Sequence, residues 1–139
     1  MAITPVTTPK LAMPGAQMSQ ALRVDAAGPL LFISGLTARG PDGQTVGAGD
    51  VGRQTEVILE AIESLVDEAG GVLADVVKLT VFVRDVERFR EVAAVRSRYF
   101  SEPYPASSMV EVSRLVSPDQ LVEIEAIAAI GQAAQEVEE

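Results

Sequence analysis

The spacing of hydrophobic positions predicts two amphipathic helices. In the first, core-facing residues recur three and four positions apart, namely Thr55, Ile58, Leu59, Ile62, Leu65, Val66 and Ala69. Asp50 is a suitable N-cap for this helix, and Gly70 and Gly71 are suitable residues to end it. The second helix is predicted to begin after Asp85 and to end before Pro103 and Pro105. Its apolar face is predicted to consist of Val86, Phe89, Val92, Ala93, Arg96, Tyr99 and Phe100.

Five shorter stretches are predicted to be strands, and the one at 76–83 is rich in β-branched residues. They span residues 18–24, 29–35, 76–83, 107–112 and 121–130. Residues 37–49 hold four glycines and one proline and are predicted to form a loop or a short strand. Residues 1–17 are expected to be extended, 25–28 and 115–120 to form turns, and the acidic residues 132–139 to be frayed.

The predicted order is β-β-β/loop-α-β-α-β-β, which indicates an α+β fold. Strand–helix–strand crossovers are right-handed, so both helices should pack on one face of a mixed sheet. The other face would then be uncovered, although it would carry Val77, Leu79, Val81 and Val83 or their alternates. An apolar face of this kind needs a partner chain.

The last predicted strand places two carboxylates on one face. Side chains alternate along a strand, so Glu123 and Glu125 point the same way, together with Leu121 and Ile127. The opposite face carries Val122, Ile124, Ala126 and Ile130, which are candidate core residues. The two carboxylates indicate a cleft, an interface or a buried ion pair, and a solvated sheet face is the alternative.

Composition narrows the function classes. The 139 residues predict one domain, and 47% of them are hydrophobic despite a net charge of −9. The chain has no Cys and no His, which excludes disulfides, thiolate nucleophiles, Ser-His-Asp triads and histidine metal sites. No metal or other cofactor is expected. A sequence pI near 4.5 disfavours a nucleic-acid partner. Neither a membrane-spanning run nor a signal peptide is evident, so we expect a cytoplasmic protein.

Basic residues are few, and they are densest in the sequence after the strand predicted at 76–83. This group consists of Arg84, Arg88, Arg90, Arg96, Arg98 and Arg114. These arginines could form a local patch, or they could simply be solvated on a helix face.

Five segments, taken together, resemble the RidA/YjgF family of reactive intermediate deaminases. They are Ser19-Gln20-Ala21, Phe32-Ile33-Ser34-Gly35, the strand at 76–83, Pro105-Ala106 and the strand at 122–127. Their order and spacing match the family over residues 17–130, so we expect one such domain with an acidic tail at 131–139. The resemblance implies a chorismate-mutase-like subunit with a six-stranded mixed sheet. It also implies a homotrimer with a central β-barrel and ligand clefts between subunits.

The same resemblance implies hydrolysis of short-lived enamines and imines to a keto compound and ammonia. Glu123 matches the family's water-orienting carboxylate. Ser34 and the backbone N–H groups around Gly35 and Met109 are candidates to bind a substrate oxygen.

Three positions depart from the family pattern. Ser107 stands where the family has the arginine that holds the substrate carboxylate, at a position expected to open on a cleft. Met18 replaces an aromatic residue, usually tyrosine, and Ala93 replaces an asparagine on the second helix. A hydroxyl makes one neutral bond where a guanidinium makes two charge-assisted ones. Arg96 and Arg114 are candidates to replace the missing cation.

Three functions remain open on the sequence. One is an imine or enamine hydrolase with an altered substrate preference, and another is a small-molecule-binding trimer that has lost the reaction. The third is a ribonuclease, a label carried by some family members. The acidic composition and the absence of His disfavour it. Ordinary structural roles also remain possible. Glu123 could pair with an arginine across the trimer interface, Met18 could pack in the core, and Ser107 could be an unremarkable strand residue.

Overall fold

Six strands and two α-helices make up the regular structure of the residues described by the computed structural model, which are 2–13, 17–25 and 28–133. The strands are β1 (Ile3–Val6), β2 (Ala21–Val24), β3 (Leu30–Leu36), β4 (Val76–Val83), β5 (Ala106–Glu111) and β6 (Val122–Ala129). The helices are α1 (Val51–Glu68) and α2 (Phe89–Tyr99). The α+β class and the two helices on a mixed sheet are therefore confirmed. Part of the predicted turn at 25–28 and most of the tail at 131–139 lie outside the described residues.

Four of the strands form the main sheet, in the order β3-β6-β4-β5. β6 is antiparallel to both of its neighbours, and β4 and β5 are parallel. β1 and β2 pair separately as an antiparallel ribbon. A single parallel bridge between Ser19 and Ala106 links the segment leading into β2 to the free edge of β5.

This division differs from the expected six-stranded sheet in two respects. Residues 37–49 contain no strand and only one isolated bridge, between Arg39 and Thr45. The sixth strand is instead β1, within the segment that was expected only to be extended. Its four residues include Pro5, and a proline in so short a stretch masks the strand pattern.

Local signals explain where the helices begin. The Asp50 side chain accepts a hydrogen bond of 3.0 Å from the Arg53 backbone N–H and caps α1, as predicted. Asp85 caps a short 3₁₀ turn instead of α2, which therefore begins at Phe89. The turn changes the angular register, so Val86 and Phe89 are exposed, which corrects their assignment to the apolar face. Leu65, near the end of α1, is also exposed.

The core lies between the helices and one face of the main sheet. On β6 the alternation is as predicted, with Val122, Ile124 and Ala126 buried. On β4, Leu79 and Val81 belong to the core, so the open face carries the alternates, including Phe82 and its neighbours Lys78 and Thr80. No α-helix among the described residues has the length and apolarity needed to cross a membrane.

Candidate functional site

The carboxylate of Glu123 lies directly over Gly35 on the open face of the sheet. Ile33 pairs with Ala126 and Leu36 pairs with Ile124, so β3 contains one extra residue at this point. A Cβ added to Gly35 would lie 2.5 Å from Oε2 and 2.9 Å from Cδ of Glu123. The bulge and the absence of a side chain at residue 35 together create the space for the carboxylate.

Glu123 is half-buried and has no hydrogen-bond or ion-pair partner among the described residues. The four ion pairs recorded for those residues involve other carboxylates. Ser34 precedes Gly35 in the bulge and is exposed. We call Ser34, Gly35 and Glu123 the Glu123 half-site. It presents an unpaired carboxylate over a glycine whose neighbour in the chain is an exposed serine, and such a carboxylate is suited to hold and deprotonate a water molecule.

Buried glutamines fix the strand that carries Glu123. Gln120 accepts a 3.0 Å hydrogen bond from the Ala38 N–H and donates to the Ala38 carbonyl and to Thr45 Oγ1, both at 3.0 Å. Gln54 on α1 accepts a 2.7 Å bond from the Leu121 N–H. Both glutamines are fully buried. Their burial could not be predicted from the sequence, because glutamine has no periodic or motif signal that marks it for the interior.

The remaining candidates on β5 and α2 lie on the opposite, helix-covered face of the sheet. Ser107 is paired with Leu79 of β4, and Met109 is paired with Val81. Leu79 and Val81 are core residues, and paired residues of parallel strands point to the same face of the sheet. Ala93 is half-buried on α2. Ser107 is only 8% exposed in the single subunit, so the expectation that it opens on a cleft between subunits stays a prediction. The strand alternation that exposes Ser108 and Val110 turns Ser107 inward.

Met18 is half-buried at the edge of an apolar cleft of about 370 Å³. Ser19, Pro103 and Tyr104 also line this cleft. The Ser19 hydroxyl donates a 2.5 Å hydrogen bond to the Tyr104 carbonyl, which holds the segment against the chain that leads into β5. Met18 therefore lies on the side of the molecule where the chain enters β5, and not in the Glu123 half-site.

The two candidate arginines have different surroundings. Arg96 on α2 is 8% exposed, and its Nε has no hydrogen-bond partner among the described residues. Its Nη2 donates a long bond of 3.4 Å to the Gln17 carbonyl. Burial lowers the pKa of the Arg96 guanidinium below its ordinary value. Arg114 is exposed and lines a shallow cleft with Arg84.

The sheet thus separates the predicted site residues into two groups. Ser34, Gly35 and Glu123 come together on the open face, whereas Ser107 and Met109 face the helices. A single subunit cannot bring all of them to one ligand. Among the described residues, no three acidic side chains cluster in a way that could hold a metal ion.

Comparison with known proteins identifies the family. A family model described as endoribonuclease L-PSP matches residues 10–130. The chain belongs to this family, the RidA/YjgF family. A RutC family protein from Pyrococcus abyssi is 40% identical over 92% of this chain and 98% of its own length. The 3-aminoacrylate deaminase RutC of Acinetobacter baylyi is 35% identical over 73% of this chain and 79% of its own length.

Solved structures of RidA/YjgF relatives share the fold. A Rid-family protein of unknown function from Yersinia pestis has a TM-score of 0.83 at 27% identity, covering 94% of this chain and all of that one. RidA from an Antarctic Psychrobacter has a TM-score of 0.69 at 33% identity, covering 91% and 99% of the two chains. The helices packed on a mixed sheet are therefore the arrangement found in RidA/YjgF proteins.

Proposed function

We propose that this RidA/YjgF protein hydrolyses small reactive imines and enamines to a keto compound and ammonia, with Glu123 as the catalytic carboxylate. The observation that carries the proposal is the half-buried, unpaired Glu123 carboxylate seated over Gly35. Membership of the family and the similarity to a protein named 3-aminoacrylate deaminase support the same chemistry.

The reaction requires only water and a proton acceptor. An enamine first gains a proton at carbon, which gives the protonated imine. As the oxygen of water attacks the carbon of the protonated imine, Glu123 takes a proton from that water and the C=N bond becomes the C–N bond of a neutral carbinolamine. Glu123 then returns this proton to the nitrogen; the C–N bond breaks and ammonia leaves, while the C=O bond forms and the hydroxyl proton passes to Glu123. In this proposal the hydroxyl of Ser34, which is exposed and next to Gly35 in the chain, donates a hydrogen bond to a substrate oxygen.

The active assembly in this proposal is a homotrimer. The open sheet face carries exposed apolar side chains, with Phe32 70% exposed and Leu30 61% exposed. Association of the open faces into a central barrel would cover them. It would also bring the Glu123 half-site next to a neighbouring subunit, so that the ligand cleft could be shared between two subunits.

Ser107 favours an altered substrate preference over the family's usual one. Without the arginine, the bonds to a substrate carboxylate would weaken by about 1.5–3 kcal/mol at this position. The same observation supports a second candidate, a ligand-binding trimer of the same fold that does not turn over imines. A ribonuclease is disfavoured, because the chain carries a net charge of −9 and has no His.

The test measures imine decay with and without the protein. The substrates are 2-aminoacrylate, formed in situ from serine by a dehydratase, 3-aminoacrylate, and 2-imino acids formed from larger amino acids by an oxidase. We expect faster release of the keto product than the spontaneous rate for at least one substrate. Turnover of 2-aminoacrylate should be below that of a relative that carries the strand arginine.

Glu123→Gln is the matched variant, because glutamine keeps the shape but cannot take up the proton. It should remove the acceleration, while Glu125→Gln, which alters the exposed carboxylate two residues further along the same face, should retain it. If the folded wild-type protein accelerates none of these reactions, the hydrolase proposal fails and the ligand-binding candidate replaces it.

A further inference from the structure

Arg96 is an unpaired cation in the interior of the subunit. It is the one basic side chain among the buried residues that the structure describes, and only 8% of it is exposed. Its Nε has no partner, and neither does Oε1 of Gln17, the residue whose carbonyl accepts the 3.4 Å bond from Nη2. Two buried polar atoms without partners therefore belong to one pair of neighbouring residues, the buried Arg96 and the half-buried Gln17.

An unpaired buried charge is costly, because the guanidinium has lost its hydration without gaining an opposite charge. The chain has 20 acidic residues and 11 basic ones, so carboxylates are abundant. Four arginines of the described residues do have carboxylate partners, and all four pairs lie at the surface. None of the described carboxylates pairs with Arg96. A carboxylate from outside the chain would supply the missing partner.

The position of Arg96 connects it to the three departures from the family pattern. Arg96 follows Ala93 by three residues on α2, so the two side chains share one side of the helix. The carbonyl that Arg96 contacts belongs to Gln17, which directly precedes Met18. Ser19, the next residue, bridges to Ala106, the neighbour of Ser107. Arg96 therefore lies on the helix that carries Ala93 and contacts the segment that carries Met18, and that segment is bridged to the strand that carries Ser107.

We propose that Arg96 is the residue that holds the substrate carboxylate in this protein, supplied from α2 in place of the missing strand arginine at residue 107. The ligand class is a small 2-oxo or 2-imino monocarboxylate. The free Nε offers one donor, and the long bond from Nη2 can be exchanged for a shorter, charge-assisted one, giving a two-point contact. The inference deepens the proposed function and rests on it for the identity of the substrate.

The experiment measures binding of pyruvate and of its neutral analogue pyruvamide by isothermal titration calorimetry. The wild-type protein should prefer pyruvate. Arg96→Gln should lose about ten- to hundredfold in pyruvate affinity, as expected for loss of a charge-assisted contact, with pyruvamide binding unchanged. Arg98→Gln is the matched control, because it removes one positive charge from the same helix at a side chain that pairs with Glu56. It should behave as the wild type.

Persistence of the full preference for pyruvate in folded Arg96→Gln would overturn the inference. A crystal structure of the wild-type protein with pyruvate provides a second test that needs no variant. A pyruvate carboxylate within hydrogen-bonding distance of the Arg96 guanidinium supports the inference. A carboxylate held by Arg84 or Arg114, a carboxylate of a second copy seated on Arg96, or no bound pyruvate contradicts it.

These outcomes are separable from failure of the proposed function. If pyruvate binds through Arg96 but no imine is hydrolysed, the anchor stands and the hydrolase proposal fails. If hydrolysis of imines requires Glu123 but the Arg96→Gln variant keeps the wild-type KM, the proposed hydrolase function stands. The assignment of Arg96 as the carboxylate-binding residue is then wrong. A change in KM for charged substrates with kcat retained is the kinetic signature of an anchor.

Discussion

The carboxylate of Glu123 occupies the space that a side chain on Gly35 would need, with Oε2 only 2.5 Å from the position of an added Cβ. The two residues belong to neighbouring antiparallel strands, and the bulge in β3 brings them together. The Glu123 carboxylate can therefore occupy this position only because residue 35 has no side chain. A substitution of Gly35 tests the candidate site without altering the carboxylate itself.

Gly35→Ala should displace the Glu123 carboxylate and lower imine hydrolysis by about a hundredfold, the scale expected for a misplacement of roughly 1 Å. Gly52→Ala in α1 is the matched control. An added Cβ there meets its nearest atoms at 3.5 and 3.8 Å, so it fits and should raise stability by about 0.5–1 kcal/mol without changing turnover. Steady-state rates on the best imine substrate are the measurement. Unchanged turnover in Gly35→Ala would show that hydrolysis does not depend on the position of the Glu123 carboxylate over Gly35.

The exposed apolar face predicts an obligate oligomer. Sedimentation or mass photometry should show a species near three times 14.7 kDa. Phe32→Glu should dissociate it, because it would bury a new negative charge on a face that already carries Glu123 and Glu125, at a cost of several kcal/mol. Val116→Glu makes the same chemical change at a loop residue that is 96% exposed and should leave the assembly intact. A stable wild-type monomer at micromolar concentration would contradict both the trimer and the shared site.

Gln120→Leu should lower the free energy of unfolding by about 3 kcal/mol, because it leaves the backbone N–H and carbonyl of Ala38 without partners in the interior. It should also lower turnover, since the segment that precedes β6 loses its attachment. Gln44→Leu changes an exposed glutamine in the 37–49 segment to which Gln120 is hydrogen-bonded, and it should cost little. Urea unfolding of the two variants is the measurement, and equal stabilities would show that the Gln120 network contributes nothing.

Acid stability should depend in part on Glu56. Its hydrogen bond to Arg98, helped by Arg53 and opposed by partial desolvation, lowers the pKa of the Glu56 carboxyl below its ordinary value of 4.5. Because the pKa is lower in the folded state, the stabilisation is complete above pH 4.5 and is lost as the pH falls through the folded-state pKa.

Glu56→Gln should therefore be less stable than the wild type at pH 7, and the difference should be smaller at a pH well below 4.5. The pair lies at the surface, so the effect at pH 7 should be small and should shrink further in high salt. Urea unfolding at the two pH values measures it. Glu63→Gln, an exposed change on the same helix, is the control and should show no such convergence. A constant difference between Glu56→Gln and the wild type at both pH values would count against the linkage.

The sequence by itself determined the elements whose signal lies within one segment. The alternation of side chains along β6 placed Glu123 on one face of the strand and Val122 and Ile124 on the other. The N-cap residue Asp50 and the apolar spacing that follows it defined α1. The family's characteristic segments were also legible, because they are contiguous. Side-chain alternation and helix spacing are local properties of the backbone, so they can be deduced before the fold is known.

Only the tertiary structure decided which of these elements meet. The position of Glu123 over Gly35 depends on the pairing of β3 with β6, which joins residues almost ninety positions apart in the sequence. It also depends on a bulge in β3 that has no local signal. The inward direction of Ser107 and the burial of Arg96 depend on the packing of α2 over the sheet. Strand partners and helix packing are chosen by non-local burial and hydrogen bonding, which no single segment of the sequence contains.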